Sequence, residues 1–385
     1  MKYILLRMKR FCGFATGFVF FISGILKLMD PVGASMVMKE YYNFLHLDFM
    51  APTALIAGVF FALTEVIVGA GLITGVWKRI IAQIAIGLQG LFTLLTLFLV
   101  IFNPSMDCGC FGEAIHLTHQ ETFIKNIVLL VLLLAYYMPP KHLGVTSKKK
   151  YVSFGIVTAS VVAFTIYSLI YIPLNDYTDY HAGVSLKSET ISPESYVAVF
   201  TYEKDGKQET FGIDNLPDST WTFVSATTIK SRSEDNSSAS LSFYDEDGNY
   251  ADHLVLDGKS LVISIYNTDI KPKDRNKVQK FIEAAISEGF KPIVLASDYI
   301  DPFIGAGVFT ADYKTLLTLN RSNGGATYIN DGIIIRKWAK KSLPDAEELA
   351  MIYNEDVTET IIGDSHRSLA FQGFLLYVFA VMLLL

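Results

Sequence analysis

Long apolar runs separated by short polar turns fill the first 175 residues, and the pattern then changes to short, mixed, turn-rich segments. Runs of about 20 apolar residues are long enough for a helix to cross a hydrocarbon core of ~30 Å. Five of them precede residue 175: Phe11 to Met29, Pro52 to Gly75, Ile80 to Phe102, Thr122 to Met138 and Val152 to Ile172. A sixth, Leu369 to Leu385, ends the sequence near the lower length limit for a span. The first run lacks a small-residue cleavage site and is followed at once by further spans, so it reads as a retained helix and not a signal peptide.

Lys and Arg in the short connections orient the spans. Lys2, Arg7, Lys9 and Arg10 precede the first span, Lys78 and Arg79 lie between the second and third, and Lys141 and Lys148 to Lys150 lie between the fourth and fifth. These segments are expected to be cytoplasmic. The alternate connections are poor in cations, which places residues 104 to 118 and residues 174 to 366 on the opposite face. In a bacterial inner membrane that face is the oxidising periplasm.

After Asn175 the pattern is that of a water-soluble domain. Alternating segments at Tyr196 to Tyr202, Thr220 to Val224 and Ala239 to Tyr244 predict β structure, with Asp247-Gly248 and Asp257-Gly258 as turns and Ser231 to Ser238 as an exposed loop. Leu261 to Tyr266 is an apolar strand, Pro272 to Glu288 has helical periodicity, and Lys291 to Ser297 is a second apolar strand. A loop with Pro302, a helix over Ala311 to Leu319, a hairpin around Asn330-Asp331-Gly332 and a closing helix after Leu343-Pro344-Asp345 complete the order.

That order resembles the thioredoxin fold. Arg321 to Gly325 stands where thioredoxin-like proteins place a cis-proline loop, with Gly324 at the proline position. Redox-active members carry Cys-x-x-Cys after the first strand, whereas this chain has Asn267 to Lys271 and no cysteine after Cys110. The domain is expected to bind and not to exchange disulfides.

Composition sharpens the class. Hydrophobic residues make up 51% of the 385 positions and charged residues 18%, too apolar for an ordinary soluble enzyme. The net charge of −6 and the lack of a basic stripe argue against a nucleic-acid partner.

The chemistry is expected in Asp107-Cys108-Gly109-Cys110-Phe111-Gly112, between the third and fourth spans, which holds two of the three cysteines. Thiols one residue apart close only a small, strained disulfide, the exchange-competent kind. A permanently closed staple and a pair of metal-binding thiolates are the alternatives. Asp107 and Glu113 would raise the thiol pKa, with only the positive end of the next helix to offset them. His116 and His119 are near enough for a Cys/His site, but their spacing fits no zinc pattern, so no metal is assigned. Cys12, a membrane thickness away, is expected to be a buried hydrophobe.

Glu65 is an ionisable residue inside a span and by default a functional candidate. Counting ~1.5 Å per residue puts Glu65 and Gln89 at similar depth, so a hydrogen bond between them, and a quinone or lipid bound beside them, are the functional expectations. Lys27 reads as a snorkelling anchor. Lys125 and Asn126 open the fourth span, where anchoring is again expected before attraction of a thiolate or quinone oxygen. Gly69, Gly71, Gly87 and Gly90 would permit close helix packing. Asn236-Ser237-Ser238 matches a glycosylation acceptor by chance, and Trp338 is expected in the core.

Phe20 to Pro31, Glu65 with Gly69, and Asp107 to Gly112 together resemble the DoxX-like membrane proteins, with the methylamine-utilisation MauE branch the nearest. The remainder looks like the multi-domain DoxX-family proteins of the Bacteroidetes. The resemblance implies a four-helix unit over residues 1–140, followed by a cytoplasmic loop and fifth span at 141–175. A β-rich segment at 176–258, a thioredoxin-like domain at 259–366 and a terminal membrane helix at 367–385 complete the expected architecture: an α-helical membrane bundle with an α/β domain lacking the Cys-x-x-Cys. It also implies Cys108 and Cys110 as a dithiol acting on periplasmic protein clients or a separate thioredoxin-like partner. A thiol-disulfide or quinone-linked oxidoreductase component is the expected activity. A non-enzymatic scaffold or assembly factor, and a quinone- or lipid-binding subunit using Glu65 and Gln89, are the alternatives.

Overall fold

The computed structural model describes residues 2–104, 106–138, 146–187, 196–204, 207–212, 221–230 and 240–384. The expected Ser231 to Ser238 loop and the Asn236 acceptor lie outside them. The membrane part comprises α1 (Lys2–Met29), α2 (Pro31–Phe44), α3 (Ala54–Thr74), α4 (Lys78–Phe102), a short extended segment β1 (Cys110–Glu113), α5 (His119–Tyr137) and α6 (Lys148–Ile170). Among the described residues, five helical segments are long and apolar enough to cross a membrane, and they coincide with the five long runs of the sequence.

Small residues let α1 and α3 pack closely. A side chain on Gly69 would put its first carbon 2.6 Å from the Phe21 backbone nitrogen. Gly71 is equally closed in by Ile81, but Gly87 and Gly90 have nothing within 4 Å, so only two of the four glycines expected to pack helices do so. Phe21, Ile25 and Leu28 of α1 are fully buried against Ala62 and Val66 of α3 and Val157 and Val161 of α6. At the end away from the cysteines, Thr146 donates to the Gly75 carbonyl and Lys150 Nζ to the Met382 carbonyl (3.0 Å), which draws the cation-rich connections together.

α2 was not among the expected elements. Asp30 caps it, its Oδ1 accepting from Gly33 N at 2.9 Å, and Pro31 occupies the first turn, where its missing N–H costs nothing. At 14 residues it is too short to span and packs on α3.

β2 (Tyr196–Lys204), β3 (Lys207–Gly212) and β4 (Thr222–Lys230) form a separate antiparallel sheet in the order β3-β2-β4. The α/β domain follows: β5 (Phe243–Tyr244), β6 (Lys259–Ile265), α7 (Pro272–Ser287), β7 (Lys291–Ala296), β8 (Gly307–Ala311), α8 (Tyr313–Leu319), β9 (Gly325–Asn330), β10 (Ile333–Trp338) and α9 (Ala346–Asn354). Its sheet runs β10-β9-β6-β7-β8-β5. β6 and β7 are parallel, β9 is antiparallel to β6, and β10 is antiparallel to β9. That is the thioredoxin arrangement.

β8 extends the sheet beyond expectation, pairing parallel with β7 inside what reads as loop and helix start. Asp312 then caps α8, its carboxylate accepting from Lys314 N (2.9 Å) and Thr315 N (3.1 Å). Leu261, Ile263 and Ile265 enter one core and Val262 the other, so β6 is buried on both faces, as a central strand covered by helices must be. Trp338 is buried.

The segment after α6 ties this domain to the bundle. Leu186 N donates to Gly332 O (2.6 Å), Gly183 N to Ile334 O (2.7 Å), and buried Lys337 pairs with Asp176 at 2.6 Å. The chain returns through α10 (Val357–Leu384), whose Phe371, Val378 and Met382 are buried with α1, α3 and α6.

Overpacking the α1–α3 crossing should be costly. Gly69→Leu is expected to destabilise the detergent-solubilised protein by about 1–3 kcal/mol and lower its thermal midpoint. Gly90→Leu, with open space around it, should leave that midpoint in place. Equal effects would refute the close crossing.

Candidate redox site

The site begins with two residues one turn apart on α1. Lys27 Nζ lies 2.6 Å from Glu65 Oε1 of α3, and Ser23 Oγ lies 2.7 Å from Glu65 Oε2 and 2.6 Å from the Cys110 carbonyl oxygen. Lys27 is therefore no interface anchor. It neutralises a carboxylate that is 2% exposed, which is how an intramembrane charge becomes tolerable. Gln89 does not reach Glu65 as expected. Its Nε2 donates to the Asn126 carbonyl at 3.1 Å, and Asn126 Nδ2 donates to Thr96 Oγ1 at 3.2 Å. Both residues line one cavity of about 290 Å³, from α3 and α4 respectively.

The cysteines lie in the loop that connects α4 to α5. Gly109 between them has φ +60°, and a side chain there would collide with Val37 of α2, so the tight turn needs glycine. Cys108 is buried; its Sγ sits 2.9 Å from Thr122 Oγ1 and 3.2 Å from the Leu117 carbonyl, and Tyr41 donates to its backbone oxygen at 3.0 Å. Cys110 is half-buried, and all three cysteines are free thiols. Cys12 is half-buried, not fully buried as expected, and packs against a separate apolar cluster that includes Leu72 and Ile81.

The thiols are electrostatically unequal. A hydrogen bond from Cys108 to the Cys110 sulfur, helped by the charges of Lys125 and Lys27 and opposed by burial, lowers the Cys110 pKa to about 6. The same bond, together with burial, pushes Cys108 upward. At pH 7 about nine-tenths of a thiol titrating near 6 is thiolate, the species that attacks disulfides.

The sequence expectation of carboxylates raising both thiols is thus overturned. Asp107 turns to His116 (3.2 Å) and Glu113 to Arg321 (3.1 Å), while Lys125, expected chiefly as an anchor, hydrogen-bonds Cys110 and lies 4.7 Å from the Phe111 ring centre. His119 faces Asn103 and the Met106 carbonyl. No metal-holding group of three or more His, Cys, Asp or Glu residues occurs among the described residues.

Arg321 is the functional residue that sequence reasoning missed. From the loop before β9 its side chain, 5% exposed, crosses to the membrane part. Nη2 and Nε lie 2.8 and 2.9 Å from Asp30 Oδ2, Nη2 lies 3.1 Å from Glu113 Oε1, and Nη1 donates to the Leu317 carbonyl at 3.1 Å. Burial keeps the Glu113 carboxyl above its ordinary range despite the guanidinium. Asn267 N and Asn323 Oδ1 (2.9 Å), with Asn323 Nδ2 and the Asn267 carbonyl (2.8 Å), close the neighbouring position where other thioredoxin-like domains carry cysteines. Gly324 takes φ +81° at the expected proline position, its N–H donating to Ser264 O at 2.8 Å. Lys39 of α2 donates to Tyr313 OH at 2.9 Å, and Glu40 pairs with Lys314 at 3.1 Å. The thioredoxin active edge, stripped of cysteines, is docked beside the loop that holds them.

Residues 2–139 match the family model for methylamine utilisation protein MauE. The bundle is a MauE-like membrane unit. Residues 196–232, the small antiparallel sheet, match a domain of unknown function, DUF8463. The chain is 28% identical over 200 residues to Protein TlpB of Flavobacterium psychrophilum, an alignment covering 49% of this chain and 53% of that protein. The chain thus spans about half the length of the curated relative it matches. No solved structure matches it significantly. What is distinctive here is a MauE-like unit with a cysteine-free thioredoxin-like domain docked against its cysteine loop.

Alkylation of Cys110 in the Cys12→Ser background should follow a single titration with its midpoint at about 6. Removing a cation disfavours the thiolate, so Lys125→Met should raise that midpoint by about one unit and slow alkylation at neutral pH. A midpoint at the ordinary cysteine value in the parent protein would contradict the assignment.

Proposed function

We propose that this protein is a membrane-anchored thiol-disulfide redox protein in which Cys110 attacks and Cys108 resolves. The observation that carries this reading is the asymmetry of the pair: one sulfur held as thiolate by a thiol donor and two cations, the other protonated and within its reach. The MauE match over the same residues supports it.

The Cys110 thiolate attacks a client disulfide, forming a mixed disulfide and releasing one client thiolate. Cys108 passes its proton to that thiolate and attacks Cys110 Sγ, closing the Cys108–Cys110 disulfide and releasing the second client sulfur. Two electrons pass from this chain to the client. The reverse sequence oxidises a client dithiol, and the strain of the small ring favours that direction.

The clustering of Lys2, Arg7, Lys9, Arg10, Lys78, Arg79 and Lys148 to Lys150 in the connections at one end of the spans orients that end to the cytoplasm of an inner membrane. The cysteine loop and the α/β domain then face the periplasm. In this reading the α/β domain does not replace a redox partner, since it has no thiol of its own, and instead holds the client above the dithiol.

Trapping thiols in intact cells tests the proposal. Cys108→Ser should accumulate a mixed disulfide through Cys110, and Cys110→Ser should not. A Cys108/Cys110 pair that stays in one redox state under both reductant and oxidant, or a double serine variant with full function, would end this reading.

A further inference from the structure

The fold assembles a cation cluster that no single stretch of the sequence displays. Lys271 caps α7, Lys273 and Lys277 lie in its first turns, and Lys340 and Lys341 lie on the single turn that follows β10. The two segments meet where Lys277 Nζ donates to the Lys341 carbonyl at 2.8 Å and Lys340 pairs with Asp274 at 2.6 Å. All five lysines but Lys340 are exposed. Burial and the charges of Lys340 and Lys341, opposed by Asp274, lower the Lys277 pKa, while the Lys340 hydrogen bond and the charges of Lys340, Lys271 and Lys273 lower that of Asp274. Asp274, already paired, and Asp269, two residues before Lys271, are the acidic residues of these segments, so the face stays positive. Arg275 is tied elsewhere, donating to the Asp301 and Pro302 carbonyls.

The cluster sits at the height of the lipid surface. Lys341 Nζ lies 5.9 Å from the centre of the Tyr171 ring, and Tyr171 caps α6, the fifth span, where it stacks on the exposed Tyr167 with ring centres 4.8 Å apart. Tyrosines at the end of a span sit at headgroup level. On the other side, Lys340 N donates to Ser322 Oγ at 2.9 Å, next to Arg321, whose guanidinium reaches Asp30 of the membrane part. The lysines are thus held against the bundle from two directions. Exposed ammonium groups spread over two segments suit a plane of anions better than one enclosed phosphate. An acidic protein would meet the same charges, but contact with the end of a span favours lipid.

We propose that Lys271, Lys273, Lys277 and Lys341 dock the α/β domain onto anionic phospholipid headgroups at the membrane face that carries the cysteine loop. Attraction of this kind falls off within a Debye length, so it acts on side chains at the surface and not on the rest of the domain. Because Lys340 and Ser322 join the lysine turn to the Arg321 loop, lipid contact steadies the same edge that Arg321 fastens to Asp30 and Glu113. The inference goes beyond the thiol chemistry and does not depend on it.

The test is lysine acetylation, read by mass spectrometry, of the full-length protein in nanodiscs of phosphatidylcholine alone or of phosphatidylcholine mixed with phosphatidylglycerol. Labelling of Lys271, Lys273, Lys277 and Lys341 should fall about fivefold in the anionic discs. It should recover in high salt, which screens exposed charges. Lys291, exposed at the far end of the sheet where β7 begins, should label equally in both. Replacing Lys271, Lys273 and Lys341 together by Gln should remove the lipid-dependent protection of Lys277 while leaving Lys291 labelling and the thermal midpoint in phosphatidylcholine unchanged. Equal labelling of the four lysines in the two kinds of disc would overturn the proposal. Protection by soluble polyglutamate but not by phosphatidylglycerol would overturn it too, and assign the face to an acidic protein.

Discussion

A single buried guanidinium joins the two halves of the molecule. Arg321 leaves a loop of the α/β domain and is neutralised by two carboxylates of the membrane part, Asp30 at the start of α2 and Glu113 just after the cysteines. Removing one member of such a group leaves an uncompensated buried charge, with a typical cost of about 3–5 kcal/mol. The planar fork makes the contact directional as well as strong, because two of its nitrogens meet one oxygen of Asp30 while a third meets the Leu317 carbonyl. Asp30 also caps α2 through its other oxygen, so the same side chain fixes the helix that packs Val37 against Gly109 and Tyr41 against Cys108.

The cysteine loop is therefore held from both directions. From α2 and Arg321 it receives its shape; from α1 and α5 it receives its charge. Lys27 and Lys125 are costly residues to place in membrane helices. Each finds a partner that offsets the cost, Glu65 for one and the Cys110 sulfur with the Phe111 ring for the other. The arrangement separates two chemically identical thiols into a donor and an acceptor, which is what sequential attack and resolution require.

Much of this was legible in the sequence. The spans emerge because membrane solvation demands long apolar runs and tolerates little else, and the thioredoxin topology emerges because βαβ strands buried on both faces read as unbroken apolar segments. The loop bearing Cys108 and Cys110 was singled out by composition alone. The strand β8 was hidden because Gly307-Val308-Phe309-Thr310-Ala311 merges into the following helix without a breaker, and Asp312 reads as part of the run. α2 was hidden for a different reason: its mixed, modest amphipathicity resembles a polar connection, although Asp30-Pro31 is a helix-start signal that could have found it. Lys27, Lys125 and Arg321 defeated sequence reasoning because their roles depend on partners far away in the chain, from Phe111 for Lys125 to Asp30, 291 residues off, for Arg321, and residue type cannot distinguish a snorkelling cation from a paired one. The positional coincidence of Arg321 with the loop that thioredoxin-like domains use for recognition was the one available hint.

The central claim, that the α/β domain is clamped over the cysteine loop through Arg321, is tested most directly by the rate at which a bulky maleimide labels Cys110 in the folded Cys12→Ser protein. Breaking the clamp with Arg321→Ala should speed labelling about tenfold or more, as loss of a buried charge partner worth several kcal/mol predicts, with Arg321→Lys in between. Identical rates in all three proteins would contradict the account.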